Sequence, residues 1–244
     1  MMKKAWGRRA SIGVLFLVVL LAAPGAWAQF WVSFADHTRY MALGDSLSAG
    51  YAAHPATQGF VYQLYQSGVI DNVNHLLFCD AGVPNATSTD VLAHQVPQVG
   101  LFFSDTGTPY RKVITLTVGG NDMLQIIDGA DPGEVITTLA RNLATILGTL
   151  AATFPDAQIY VANQYDPRLG VPNEELLIAA VNQAVAQVVG LFPTATLVDI
   201  FSAFDGRSGL LLVEKRGAEP DQVHPTDAGY RVMEKAFANA IRGR

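Results

Sequence analysis

A few residues of this chain have the types and the placement for nucleophilic catalysis. Ser46 follows Gly44-Asp45 where the apolar run 40–43 stops, and a Gly-containing turn after a short strand is a common way to present one side chain at a sheet edge. A serine hydroxyl is a poor nucleophile at neutral pH and gains reactivity when a base takes its proton as it attacks. Near the other end of the chain, Asp221-Gln222-Val223-His224-Pro225 sets a carboxylate three residues before a histidine. Neutral His224 has the chemistry of such a base. Asp221 can curl back to accept the N–H of its other ring nitrogen and stabilise the imidazolium. Two more loops offer hydrogen-bond donors: Gly82-Val83-Pro84-Asn85-Ala86-Thr87 and Gly119-Gly120-Asn121-Asp122.

Taken singly, each piece has an ordinary structural explanation. Gly44 and Gly119 permit tight turns, Asn121 caps a helical turn, and His224-Pro225 approaches a helix. The joint order shifts the balance: a serine first, donors next, Asp-x-x-His last. His37, His54, His75 and His94 lack such a pairing in a terminal loop and read as surface or structural residues. Cys79 ends the apolar run 76–78, and its expected role is a small hydrophobe of the core. Gly119-Gly120 lacks the Lys-Ser/Thr that follows in a phosphate-binding P-loop, and no Cys/His cluster has metal-ligand spacing.

To converge, these loops must leave one edge of a sheet. Short runs rich in β-branched or aromatic residues at 40–43, 76–79, 113–118, 159–162 and 196–200 alternate with segments of helical period, the pattern of parallel βαβ units. Their continuous apolar character suits strands covered on both faces. Asp131-Pro132-Gly133-Glu134 supplies an N-cap, a first-turn proline and a capping-box acid before the stripe Ile136, Leu139, Leu143, Ile146, Leu147 and Leu150. Asn173 and Thr226 are the expected caps of two later helices, the last with Tyr230, Met233, Phe237 and Ile241 as its apolar face, and 60–69 is a fourth helical candidate. The fold class is therefore α/β, an open three-layer sheet with its site beyond the carboxyl ends of the strands.

At the N-terminus, Lys3, Lys4, Arg8 and Arg9 precede the apolar stretch 12–23, and Ala26-Trp27-Ala28 follows. This is the pattern of a signal peptide, residues 1–28, cleaved after Ala28; the stretch falls short of the ~20 apolar residues of a membrane anchor. The expected mature protein is one domain, 29–244, secreted or periplasmic. The chain has 16 basic and 21 acidic residues, and four of the basic ones lie in 1–28. The remaining balance of −9 disfavours nucleic acid and anionic lipid as partners. The expected state is a monomer without a stable membrane anchor.

The ordered blocks resemble those of the SGNH hydrolases, also called the GDSL esterases and lipases. Gly44-Asp45-Ser46-Leu47 is similar to the nucleophile block, Gly119-x-Asn121-Asp122 to the third block and Asp221-x-x-His224-Pro225 to the last, a likeness from Met41 to the final helix. The resemblance implies a flavodoxin-like α/β/α sandwich on a five-stranded parallel sheet, with Ser46 as nucleophile, His224 as base and Asp221 as its orienting acid. It also implies an oxyanion hole made by the backbone N–H groups of Ser46 and Asn85 and the side-chain amide of Asn121. Asn85 stands where the family has a glycine; if that position needs a positive φ, Asn is the most tolerant replacement, and Gly82 is the alternative donor. The implied activity is cofactor-free ester hydrolysis; the chain lacks the large cap insertion expected of a buried long-chain lipase site, so short-chain acyl or acetyl esters are the expected substrates. A lysophospholipase or thioesterase-like lipid hydrolase, or an inactive binding module on the same fold, are the alternatives, with small-molecule, lipid or carbohydrate esters as partners. Leu101-Phe102-Phe103, Met123-Leu124 and Tyr165-Asp166-Pro167-Arg168 are candidates for an acyl pocket, or equally for core and turn positions.

Overall fold

The computed structural model describes residues 37–104, 109–167, 172–212, 215–216, 219–220 and 223–243. Five strands form one parallel sheet in the order β2-β1-β3-β4-β5: β1 (Thr38–Gly44), β2 (Leu76–Asp80), β3 (Arg111–Thr117), β4 (Gln158–Ala162) and β5 (Ala195–Val198). Strand β1, which leads to Ser46, is thus flanked by the two strands whose following loops carry Asn85 and Asn121. The segment 1–28, expected to be a signal peptide, and Asp221 and Arg168 lie outside the described residues.

Alternation along the strands divides the interior into two layers. Met41, Leu43, Ile114, Leu116, Ile159 and Val161 point to one face. That face is covered by α5 (Pro132–Thr153) and α6 (Glu174–Val189). Helix α5 is long and apolar enough to cross a membrane by length and composition, but Leu139, Leu143, Ile146, Leu147 and Leu150 lie in this core. Tyr40, Ala42, Val113, Tyr160, Ala162 and Val198 point the other way. They meet α1 (Phe60–Gln66), α7 (Ile200–Phe204) and α8 (Asp227–Arg242), with Phe60 and Phe237 stacked at 4.8 Å between ring centres. Between β2 and β3 runs a helical segment in three parts, α2 (Ser88–Asp90), a π-helical stretch (Val91–Gln95) and α3 (Val96–Phe102). Helix α4 (Gly120–Ile127) follows β3.

The caps explain most boundaries. Asp131 accepts the Glu134 N–H at 2.9 Å and Thr226 accepts the Gly229 N–H at 3.2 Å, as their sequence positions predict. Asn173 departs from expectation: it stands at φ 61° and makes no side-chain cap bond, so its tolerance of the left-handed region turns the chain into α6. The fifth strand stops two residues early because Asp199 accepts the Ser202 N–H at 3.0 Å and opens α7. Half-buried Cys79 packs against the core, as its place at the end of an apolar run predicts.

Candidate active site

At the carboxyl edge, β1 and β3 approach so closely that a Cβ on Gly44 would lie 2.2 Å from the Thr117 carbonyl oxygen, and Gly44 itself stands at φ 136°. Only glycine suits both conditions. The chain leaves the sheet there and is caught by Asp45, which is buried. One carboxylate oxygen, Oδ1, accepts the Leu47 N–H and the Thr117 hydroxyl, each at 2.9 Å. Ser48 donates its hydroxyl to the Leu43 carbonyl at 2.9 Å and lies at the same distance from the Thr117 hydroxyl. Burial pushes the Asp45 carboxyl up to about 6, against the opposing pull of those donors.

Ser46 is carried at the tip of this turn, and its Oγ lies 2.9 Å from Nε2 of His224, a residue 178 positions away. The histidine is braced on several sides. Its carbonyl accepts the Leu212 N–H at 2.9 Å, and the Leu211 and Pro225 backbones bridge. The Tyr165 hydroxyl donates to the carbonyl of Val223, and the Tyr51 ring sits 4.5 Å from the imidazole. Tyr51 is itself held by its N–H on the Ser46 carbonyl at 2.9 Å and by the Tyr230 hydroxyl on its own carbonyl at 2.6 Å.

The two donor loops meet beside this pair. Gly119, at φ 111°, opens α4. Asn121, in its first turn, donates one amide hydrogen to the Ala86 carbonyl at 2.9 Å; an amide nitrogen carries two. Asn85 stands at φ 67°, in the left-handed region that Asn tolerates best after Gly. Gly82 spends its N–H on Asp80 Oδ1 at 2.9 Å. The neighbouring residue Asp122 clamps the loop: its carboxylate accepts the Ser88 N–H at 2.9 Å and the Ser88 hydroxyl at 2.6 Å, while Asn142 donates to that same hydroxyl oxygen at 3.0 Å. Burial pushes the Asp122 carboxyl up, with the Ser88 bonds working in the other direction.

Ser46, Asn85, Asn121 and His224 line one cleft. Leu47, Met123, Leu124, Tyr165, Pro167 and Val223 supply its apolar wall. Of the acyl-pocket candidates, 101–103 are elsewhere: Leu101 is 80% exposed and Phe103 lies in the core. Sequence reasoning missed Gln164, which lines the cleft with its amide donating to the Val118 carbonyl at 2.9 Å, and it missed Tyr51. No local pattern marks either one. Thr87-x-x-Asp90, by contrast, is a readable capping box, and the structure forms it.

A family model described as GDSL-like Lipase/Acylhydrolase matches residues 42–232, from β1 into α8. The chain belongs to that family. Its members include esterases and lipases, so ester hydrolysis is the activity of the group. The spore germination lipase LipC of Bacillus licheniformis is 25% identical over 84% of this chain and 97% of its own. Among solved structures, the lipase Lip_vut3 from a goat rumen metagenome shares the fold at TM-score 0.67 and 24% identity, over 83% of this chain and 97% of its own. An acetyl xylan esterase from Geobacillus stearothermophilus superposes at TM-score 0.59 and 16% identity, over 85% and 95%. The GDSL-like blocks thus sit on the fold that such hydrolases use, with β1 at an inner position of the sheet.

Proposed function

We propose that the chain is an exported serine esterase that cleaves carboxylic esters of small or short acyl groups. The observation that carries the reading is the 2.9 Å approach of Ser46 Oγ to His224 Nε2, inside a cleft that Asn85 and Asn121 also line. His224 takes the Ser46 proton as Oγ bonds to the ester carbon. The carbonyl oxygen becomes an oxyanion received by the N–H groups of Ser46 and Asn85 and by the second amide hydrogen of Asn121. Collapse breaks the bond to the alcohol, which leaves with the proton from His224. A water activated by His224 then releases the acid from Ser46. Asp221, three residues before His224, is assigned the orienting carboxylate on that spacing.

The short-acyl preference rests on the absence of a large cap insertion in the sequence. Gln164 adds a polar group beside the apolar wall of the cleft. An acetyl xylan esterase and two lipases among the similar proteins bracket the choice between small and long acyl groups. Initial rates on p-nitrophenyl esters from acetate to palmitate decide it: the expected optimum is at the short end, and a maximum at palmitate overturns the acyl assignment in favour of a lipid hydrolase. Ser46→Ala is expected to abolish turnover and labelling by a serine-reactive phosphonate. A wild-type protein that neither turns over nor takes the label would be a binding module instead. Export rests on the basic and apolar pattern of residues 1–28; a mature protein whose first residue is Gln29, by N-terminal sequencing, is the expected result, and an intact N-terminus refutes it.

A further inference from the structure

We propose that Gln95 is a positioning residue for the nucleophile, which its side chain holds in place through Gly44; this rests on the assignment of Ser46 above. Gln95 is the last residue of the π-helical stretch and is buried at 2% exposure. Its Oε1 accepts the Gly44 N–H at 2.7 Å and its Nε2 donates to the Gly44 carbonyl at 2.8 Å. Both ends of one amide thus engage both backbone groups of a single residue, two positions before Ser46.

The reason lies in the ladder. Backbone groups two residues apart along a strand face the same neighbour, and the Ala42 carbonyl takes the Ala81 N–H at 2.8 Å on the β2 side. By Gly44, β2 has ended at Asp80. The Val83 N–H still reaches the Gly44 carbonyl at 3.0 Å, while the buried Gly44 N–H finds its acceptor in the side chain of Gln95. Gln95 stands in for the missing strand residue and fixes the peptide plane that leads into Asp45 and Ser46. A buried N–H stripped of that acceptor would force the turn to move.

The placement of Gln95 is also part of the local winding. A π-turn carries one more residue per turn than its surroundings, and such bulges are frequent at functional sites. Here the segment begins at Ser88, which Asp122 clamps beside Asn121, and reaches Gly44 through Gln95. One short strut therefore ties the nucleophile turn to the helix that bears an oxyanion donor.

The test uses two substitutions. Gln95→Leu removes both bonds at similar size; the expected result is a fall in kcat of about 10- to 100-fold with a cooperative melt retained, and KM within about threefold of wild type. Phosphonate labelling of Ser46 slows by a like factor. Gln95→Glu keeps the donor and acceptor pattern while its acid is protonated; once ionised it still accepts the Gly44 N–H but sets a buried carboxylate oxygen without a proton against the Gly44 carbonyl, and that repulsion displaces the turn. Burial raises the pKa of such a carboxyl, so this variant is expected to work at about pH 6 and to lose activity towards about pH 9, a limb that the wild type lacks. Wild-type kcat and labelling in folded Gln95→Leu, or a Gln95→Glu profile parallel to wild type, overturns the proposal while the esterase reading stands. A lower melting temperature with unchanged kcat in both variants overturns it too, since that is the signature of a purely structural role. Where Gln95→Leu does not fold, the Gln95→Glu profile decides. A wild-type protein without turnover or label overturns both.

Discussion

Replacing Asp45 with Asn should make the protein more stable at neutral pH than the native sequence is, by an amount that grows with pH. The carboxyl of Asp45 rises from its ordinary 3.8 to about 6 because the group is buried. Between those two values the folded state holds a proton that the unfolded chain has released, so the contribution of Asp45 to stability falls as pH rises through this window and stays low above it. The gap corresponds to about 3 kcal/mol. Both side-chain bonds that Asp45 accepts, from the Leu47 N–H and the Thr117 hydroxyl, end on Oδ1. Asn can accept both there and present its NH2 at the position of Oδ2. Urea unfolding of the two proteins between about pH 4 and pH 8 reads the difference directly. The advantage of Asp45→Asn should be about 3 kcal/mol larger at the alkaline end, a melting temperature higher by roughly 6 to 12 °C for a chain of this size. Two stability curves that run parallel across the whole range would refute the argument, because the carboxyl would then titrate alike in both states.

Two further substitutions probe the same edge of the sheet. Asn121→Ala should fold and lose about 10²–10³ in kcat on a short-chain ester, and an unchanged rate in the folded variant removes Asn121 from the oxyanion hole. Gly44→Ala places a methyl 2.2 Å from the Thr117 carbonyl at a φ of 136°, so denaturant unfolding should register a loss of several kcal/mol, about 3 or more; a loss below about 1 kcal/mol would mean that the strand ends can part without penalty.

The parts of this architecture that were legible in the sequence are those written in local patterns. Continuous apolar runs marked β1, β3 and β4 because the centre of the sheet is covered on both faces, the edge strands β2 and β5 kept such runs while only partly buried, and the stripe from Leu139 to Leu150 marked α5 because one side of it lies on the core. The segment 88–102 escaped notice for a physical reason. Its buried apolar residues Val91, Val96 and Val99 do not keep a 3.6 period, since the π-turn shifts the register between them and Pro97 suggests a break. The site was legible where its chemistry lies in adjacent residues, as in Gly44-Asp45-Ser46 and Gly119-x-Asn121. Gln95, Gln164 and Tyr51 were not, because each acts on a residue dozens of positions away and no neighbour in the chain signals it. The left-handed backbone at Asn85 was anticipated only as a condition of the departure from glycine.

The pairing of residue 46 with a residue so near the far terminus has a consequence for biosynthesis. A chain growing from its N-terminus completes the sheet strand by strand while its hydroxyl still has no imidazole to accept its proton. On the proposed assignment of Ser46 and His224, hydrolytic competence should therefore arrive in one step, when the final helix docks against α1 through the Phe60 and Phe237 rings. Any fragment ending before Val223 would be a folded or half-folded shell, inert towards the esters around it.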